Sequence, residues 1–302
     1  MQSAVLGLAL LHGGETFSWS EWKVYPSFMA GWLLMAGAYF LAIGPLRHRF
    51  AGSSPVPGRK VASFAFGLVM MFASLQGPLH ELSDYFLFSA HMVQHLVLIL
   101  MMPPFLLYGT PDWLLRPLVR RTWGRRIARA LTFPLVAFAL NNIIFLAWHF
   151  PGPYDLMMRN HNVHITMHLM IMVTGTIMWW PVMSPLPELP RVAPVLQMVY
   201  LFLVGIPMMV SAALITFSQS ELYSWYVEAP RLIPALSALE DQRLGGVIMW
   251  VPGGLTLWLA ITAVYFRWTN RERREDEAVT LAQPRVNRSG LVVTAPPPFP
   301  GG

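Results

Sequence analysis

The stretch that decides the fold is residues 89–109, SAHMVQHLVLILMMPPFLLYG. It is apolar along most of its length and, as a helix, long enough to cross the ~30 Å hydrocarbon layer of a bilayer. Two histidines, His91 and His95, stand near its beginning. An imidazole among Leu, Val and Met side chains is costly unless its nitrogens find partners. The stretch therefore predicts a membrane helix that carries a functional polar pair at one end.

The whole chain has the composition of a membrane protein. Of its 302 residues, 55% are hydrophobic and 12% are charged, and the mean hydropathy is +0.48. A soluble domain carries roughly 25% charged residues. We find seven apolar runs of sufficient length, at about residues 28–44, 61–79, 86–108, 131–150, 164–182, 193–217 and 246–268. We therefore predict an all-α polytopic membrane protein with seven transmembrane helices.

The basic residues predict the orientation of these helices. Most of the 21 Lys and Arg residues lie in the loops after the first and third spans and in the segment after the last span. By the positive-inside rule, the N-terminus is outside and the C-terminus is cytoplasmic. This topology accounts for the net charge of +6, so we expect the lipid bilayer and no nucleic acid as a partner.

Composition also predicts how the chain is divided. We expect an extracytoplasmic segment at residues 1–27 and a seven-helix transmembrane domain at residues 28–268. Residues 269–302 are charged and then proline-rich, which is typical of a disordered cytoplasmic tail. Residues 1–11 lack a basic start, so we expect no cleaved signal peptide.

With this orientation, eight of the nine histidines fall on the outer side. His91 and His95 share one helix face because they are four residues apart. His164 and His168 repeat this spacing on the fifth span, and His161 precedes them by three residues. Two more histidines lie near the same depth, at the outer ends of the second and fourth spans: His80 and His149.

Two explanations of these histidines stay open. A polar residue in a membrane helix often only forms a hydrogen bond to a neighbouring helix. Two pairs at one depth, with His80 and His149 nearby, instead favour a metal site in which these six histidines are the ligands. The chain has no cysteine, which excludes disulfides and thiolate ligands. Imidazole suits Cu, Zn, Fe and Ni, and thioether favours Cu(I), so the preferred ion is copper as Cu(I).

Methionines continue both histidine faces. Met102 follows His95 by seven residues, and Met172 follows His168 by four. Such stripes in a chain with 19 methionines also arise from simple packing. We therefore regard Met102, Met172 and His161 as accessory to the predicted ligands.

Other functions find less support in the sequence. Haem is the main alternative to copper, because two facing helices can each supply one axial histidine, as in an electron-transfer protein. HMVQH lacks the glutamate of the zinc-protease motif, and no nucleophile elbow or phosphate-binding loop is present, so we expect no enzyme. A copper permease needs a polar path, and the inner halves of the spans are nearly free of ionisable groups.

The neighbourhood of the histidines has two more features. Asp241 and Gln242 begin the last span and can either orient a ligand imidazole or cap a helix. Pro103 and Pro104 lack backbone donors and predict a kink or the end of the regular helix. We expect an outer-leaflet metal cavity between the third, fourth, fifth and seventh spans.

Four motifs in this order resemble the CtaG membrane family, the bacterial seven-helix cytochrome c oxidase assembly factors. They lie within about residues 25–270. The first is SAHMVQHLVL together with the MMPP that follows it, and the other three are WHFPGPYD, HITMHLMIMVTGTIMWWPV and DQRLGGVIMWVPGG.

The resemblance implies maturation of a haem–copper oxidase in the bacterial plasma membrane, by provision or insertion of copper. It implies an oxidase subunit and a periplasmic copper chaperone as partners. It places the functional residues at positions matching the family motifs: His91, His95, His149, His164, His168 and Asp241. Similar domains occur beside copper-transport modules, so copper transport or resistance stays an alternative.

Overall fold

The structure is a computed structural model and describes residues 17–20, 22–282, 285–286 and 292–293. Helices dominate it, because a chain in lipid must pair its backbone polar groups internally. The first helices in chain order are α1 Pro26–Ile43, α2 Gly58–Leu75, α3 Pro78–Tyr85, α4 Phe88–Leu96, α5 Met102–Gly109, α6 Asp112–Arg120 and α7 Thr122–Leu131. The later ones are α8 Pro134–His149, α9 Pro151–Arg159, α10 His161–Met183, α11 Pro194–Thr216, α12 Ser224–Glu228 and α13 Ala238–Ala282. The prediction of an all-α fold is confirmed.

The described chain has four further short elements. A 3₁₀ turn at Arg47–Arg49 follows α1, and a π-helical turn at Val97–Met101 joins α4 to α5. Two two-residue strands, β1 Arg285–Val286 and β2 Val292–Val293, pair antiparallel beyond the last helix.

The membrane-spanning helices agree with the predicted runs. Within the described residues, six helices are long and apolar enough to cross a membrane, counting Phe88–Gly109 as one. A seventh span results if α7 and α8, which are bent by 64° where they meet, are counted together. The polytopic fold is therefore confirmed, and its orientation across the bilayer stays a prediction.

The second predicted span ends earlier than expected. We predicted it to residue 79, but α2 ends at Leu75 and Gly77 turns the chain with a φ of 71°. Only glycine adopts this conformation readily, and Pro78 then starts α3 because proline suits the first position of a helix. His80 therefore lies on a separate short helix that packs against α4.

The π-helical turn of the third span lies directly before its two prolines, Pro103 and Pro104. In an α-helix, Pro103 would leave the carbonyl of Ile99 without a donor. Here the indole Nε1 of Trp179 on α10 donates to that carbonyl at 3.2 Å. Gly175 allows the close approach, since a Cβ at this position would lie 3.1 Å from Cα of Ile99. The expected break is therefore a π turn, and the helix continues through α5.

The last helix differs from the predicted boundary of the tail. Residues 269–282 were expected to be disordered, but α13 continues through them to Ala282. Contacts between residues four apart stabilise this exposed extension, because they lie on one helix face. Arg271 and Glu275 pair at 2.7 Å, and Trp268 Nε1 donates to Glu272 at 2.6 Å. Most of the remaining tail, and residues 1–16 of the predicted N-terminal segment, lie outside the described residues.

Candidate metal centre

The two histidine pairs meet inside the helix bundle. His91 and His95 on α4 are 0% and 2% exposed, and His164 and His168 on α10 are each 7% exposed. The ring centroids of His91 and His164 are 5.7 Å apart, and those of His95 and His168 are 6.0 Å apart. The i, i+4 spacing places each pair on one face of its helix, and the packing of α4 beside α10 brings the faces together.

Three of these imidazoles have the spacing of a metal site. One ring nitrogen from each of His91, His95 and His168 lies within 4.8 Å of the others. Nitrogen ligands about 2.0–2.1 Å from a common ion lie roughly 3.3–4 Å apart. Small side-chain rotations are therefore enough to close this group around one ion.

Unpaired nitrogens support this assignment. Seven buried imidazole nitrogens find no hydrogen-bond partner in the described part of the chain: both nitrogens of His91 and of His95, and Nε2 of His149, His164 and His168. Each buried polar atom left unpaired costs about 1–3 kcal/mol. Helix–helix hydrogen bonding therefore does not account for these five side chains. A metal ion would accept lone pairs from nitrogens that converge in this way.

A carboxylate that sequence reasoning missed joins the cluster. Asp84, in the last turns of α3, forms a second candidate ligand group with His91 and His164. Its Oδ2 lies 3.8 Å from Nδ1 of His164 and 3.4 Å from Nε2 of His80. Asp84 is seven residues before His91, but the break between α3 and α4 disrupts the helical period that would have revealed it.

His80, which was predicted as a ligand, lies beside the cluster with both nitrogens engaged. Its ring centroid is 6.2 Å from that of His168. Nδ1 lies 3.1 Å from the side-chain nitrogen of Gln94, and Nε2 faces Asp84. The amide N–H donates to Nδ1, so the proton of a neutral ring is on Nε2 and points at the carboxylate. His80 therefore positions Asp84.

A cavity of about 640 Å³ leads to the cluster. Its apolar walls come from α1, α2, α5 and α10, and the predicted accessory residues Met102 and Met172 line it. His161 also lines the cavity; it is exposed, and its ring centroid lies 6.4 Å from that of Tyr25. The cavity thus lies between the first, second, third and fifth predicted spans, and its position differs from the one expected.

Three tyrosines cover another side of the cluster. Burial raises the pKa of Tyr154 and of Tyr226 well above the usual phenol value, so both phenols stay protonated as donors. Tyr226 donates to the carbonyl of Ser83 at 2.5 Å, and Tyr223 donates to the carbonyl of His149 at 2.9 Å. These bonds connect α12 and the residue before it to α3 and α8.

Asp241 and Gln242 act as caps and anchors in the structure. Asp241 is fully buried and accepts hydrogen bonds from the backbone N–H groups of Phe88 and Ser89 at 2.7 and 3.2 Å. Gln242 accepts from the backbone N–H of Leu222 at 2.6 Å. Of the two alternatives from sequence, the helix cap is therefore the observed one, and it acts on α4.

The comparisons with known proteins identify the family. A sequence model described as the cytochrome c oxidase caa3 assembly factor family, Caa3_CtaG, matches residues 37–271. The chain belongs to the Caa3_CtaG family. Its long apolar helices make it a multi-pass membrane protein.

Three mycobacterial proteins are similar to this Caa3_CtaG protein over most of its length. It is 27% identical over 271 residues to uncharacterized proteins of Mycobacterium bovis and Mycobacterium tuberculosis, and 25% identical to one of Mycobacterium leprae. Each match covers 84% of this chain and 40% of the relative, so the chain spans about two fifths of the length of these proteins. No solved structure matches this chain.

Every histidine of the cluster lies inside the region matched to Caa3_CtaG, as do Asp84 and Asp241. His149 lies slightly apart from the others. Its ring centroid is 5.8 Å from that of His95, and neither candidate ligand group among the described residues includes it. The structure thus brings four of the predicted histidines into one cluster and leaves His149 and His80 at its sides.

Proposed function

We propose that this Caa3_CtaG protein binds Cu(I) at His91, His95 and His168 and supplies it to a subunit of a haem–copper oxidase in the bacterial plasma membrane. The observation that carries the proposal is the group of buried imidazole nitrogens that have no partner among the residues described by the structure. Family membership supports the oxidase as the destination. A periplasmic copper chaperone is the proposed source of the ion.

The donor set favours copper over the other ions that bind nitrogen. The chain has no thiolate to build a closed zinc cage. Imidazole and the methionine thioethers near the cluster suit Cu(I). Copper is here a cargo, so the protein performs no turnover and the ion leaves by ligand exchange.

The two candidate ligand groups suggest the path of the ion. Asp84 and His164 line the large cavity, and both groups share His91. We propose that copper first contacts Asp84 and His164 and then moves to the three-histidine group. Release reverses this order, as an acceptor side chain of the oxidase replaces one imidazole at a time.

Copper analysis of the purified full chain tests the proposal. The wild type and His91→Ala/His168→Ala are loaded anaerobically with Cu(I) in detergent, and bound copper and the optical spectrum are measured. We expect the double variant to lose one equivalent of copper relative to the wild type. The matched control is His161→Ala, which removes an exposed imidazole from the same helix and should retain the wild-type copper content.

Cells that express the same variants test the destination. We expect His91→Ala/His168→Ala to lower the copper-dependent activity of the oxidase, whereas His161→Ala does not. Equal copper content in the double variant and the wild type would refute the metal site. A Soret band in the purified protein would instead favour haem. Normal oxidase activity with lowered cytoplasmic copper would favour transport.

A further inference from the structure

We propose a second Cu(I) position in a small cavity beneath the cluster, bound by Nε2 of His149 and by methionine sulfur. This inference rests on the proposed function only in taking the same cargo. The cavity measures about 20 Å³ and lies between α4, α8, α11 and α13. A void of this size holds about one water molecule or one ion.

The hydrogen bond of His149 leaves the lone pair of Nε2 available to an ion. Nδ1 lies 2.7 Å from the backbone carbonyl oxygen of Phe145, one turn earlier on α8. A carbonyl only accepts, so Nδ1 carries the proton and the lone pair of the neutral ring is on Nε2. Nε2 is buried and has no partner within the described chain. Metal-binding histidines commonly donate their other N–H to a backbone carbonyl in this way.

Methionine side chains line the same small cavity as His149. Three buried methionines line the cavity, one on each of three different helices: Met92, Met208 and Met249. They are 0%, 6% and 2% exposed. Three methionines and the His149 imidazole around one small void give a soft donor set, which selects Cu(I).

The charge of the walls points to a monovalent ion. None of the described residues that line the small cavity is acidic. An unpaired divalent ion in such a medium would be strongly disfavoured.

His95 separates the two copper positions. Its ring is 4.3 Å from that of His91 and 5.8 Å from that of His149, and neither of its nitrogens has a partner in the described chain. An ion can therefore move between them by exchange at His95. The bonds to His91 and His168 break as bonds to His149 and sulfur form, and copper stays Cu(I) without electron or proton transfer.

X-ray absorption spectroscopy with copper analysis tests this position on the full chain in detergent. We expect sulfur and nitrogen scatterers around copper in the wild type. Met208→Leu/Met249→Leu should lose the sulfur shell and one equivalent of copper, since leucine nearly conserves the volume. The matched control is Met35→Leu/Met71→Leu, which changes two methionines of the large cavity and should retain both signals. His149→Ala should repeat the loss.

The outcomes separate the two proposals. Copper with nitrogen ligands only in the wild type, or a sulfur shell retained in Met208→Leu/Met249→Leu, overturns the second position and leaves the three-histidine group standing. A sulfur-bound ion that remains in His91→Ala/His168→Ala supports the second position. A wild type with only this sulfur-bound ion overturns the three-histidine group alone, and a wild type without copper overturns both.

Discussion

Asp241 accepts two hydrogen bonds from Ser89, one from its backbone N–H at 3.2 Å and one from its hydroxyl at 2.5 Å. The two residues are 152 positions apart in the chain. A carboxylate at the N-terminus of a helix satisfies backbone donors and interacts favourably with the helix dipole. Ser89 is two residues before His91, so the last span fixes the helix that carries His91 and His95.

We expect Asp241→Ala to destabilise the protein and to weaken copper binding. Removal of the buried charged acceptor leaves the donors of Phe88 and Ser89 unpaired and costs about 1.5–3 kcal/mol. The free energy of unfolding in detergent measures this loss. Glu277→Ala removes an exposed acid from the same helix and should leave stability unchanged. Equal stability of the two variants would contradict the role of the cap.

The carboxylate of Asp84 should tune copper affinity without holding the fold together. We expect Asp84→Asn to weaken Cu(I) binding by about 10–100-fold, which is typical when a group next to metal ligands is lost. A competition titration with a coloured Cu(I) chelator measures the affinity. Glu221→Gln neutralises an exposed acid that is outside the cluster and should bind as the wild type does. An unchanged affinity for Asp84→Asn would remove Asp84 from the site.

The close approach of α10 to the π-helical turn makes Gly175 sensitive to a single methyl group. A Cβ at this position would meet Cα and the carbonyl oxygen of Ile99 at 3.1 Å, and both are backbone atoms that cannot move alone. We expect Gly175→Ala to lower stability by about 1–3 kcal/mol. Gly37→Ala on α1 has open space around its Cβ and should not destabilise the protein. Thermal unfolding of both variants decides whether this contact matters.

The absence of cysteine from the sequence allows a clean test of orientation. Glu221 and Arg121 are exposed residues on loops that the charge pattern places on opposite sides of the membrane. We expect Glu221→Cys to react with a membrane-impermeant thiol reagent in intact cells. Arg121→Cys should react only after the cells are opened. The reverse pattern would invert the predicted topology.

The sequence was sufficient to predict the membrane helices and the two i, i+4 histidine pairs. Long apolar runs determine membrane spans because backbone groups in lipid have no other partners, so the predicted and observed spans agree in position. The exception at the second span arises at Gly77, whose positive φ depends on local geometry. The helical extension beyond residue 268 depends on charge pairs such as Arg271 with Glu275, which hydropathy does not register.

Within the candidate site, periodicity identified side chains on one helix but not contacts between helices. The i, i+4 spacing selected His91 with His95 and His164 with His168. Asp84 was missed because the helix ends between Asp84 and His91, so helical spacing does not relate the two residues. The choice between cap and ligand partner for Asp241 needed the packing of α13 against α4, which a single sequence does not reveal.

The 45 residues of α13 have a further consequence. Their length is about 68 Å, more than twice the ~30 Å thickness of the hydrocarbon layer. The helix therefore runs from Asp241, which caps the start of α4, to an exposed charged segment beyond the opposite face of the membrane. A displacement of this exposed segment along the helix axis would therefore move Asp241 as well, and with it the start of the helix that carries His91 and His95.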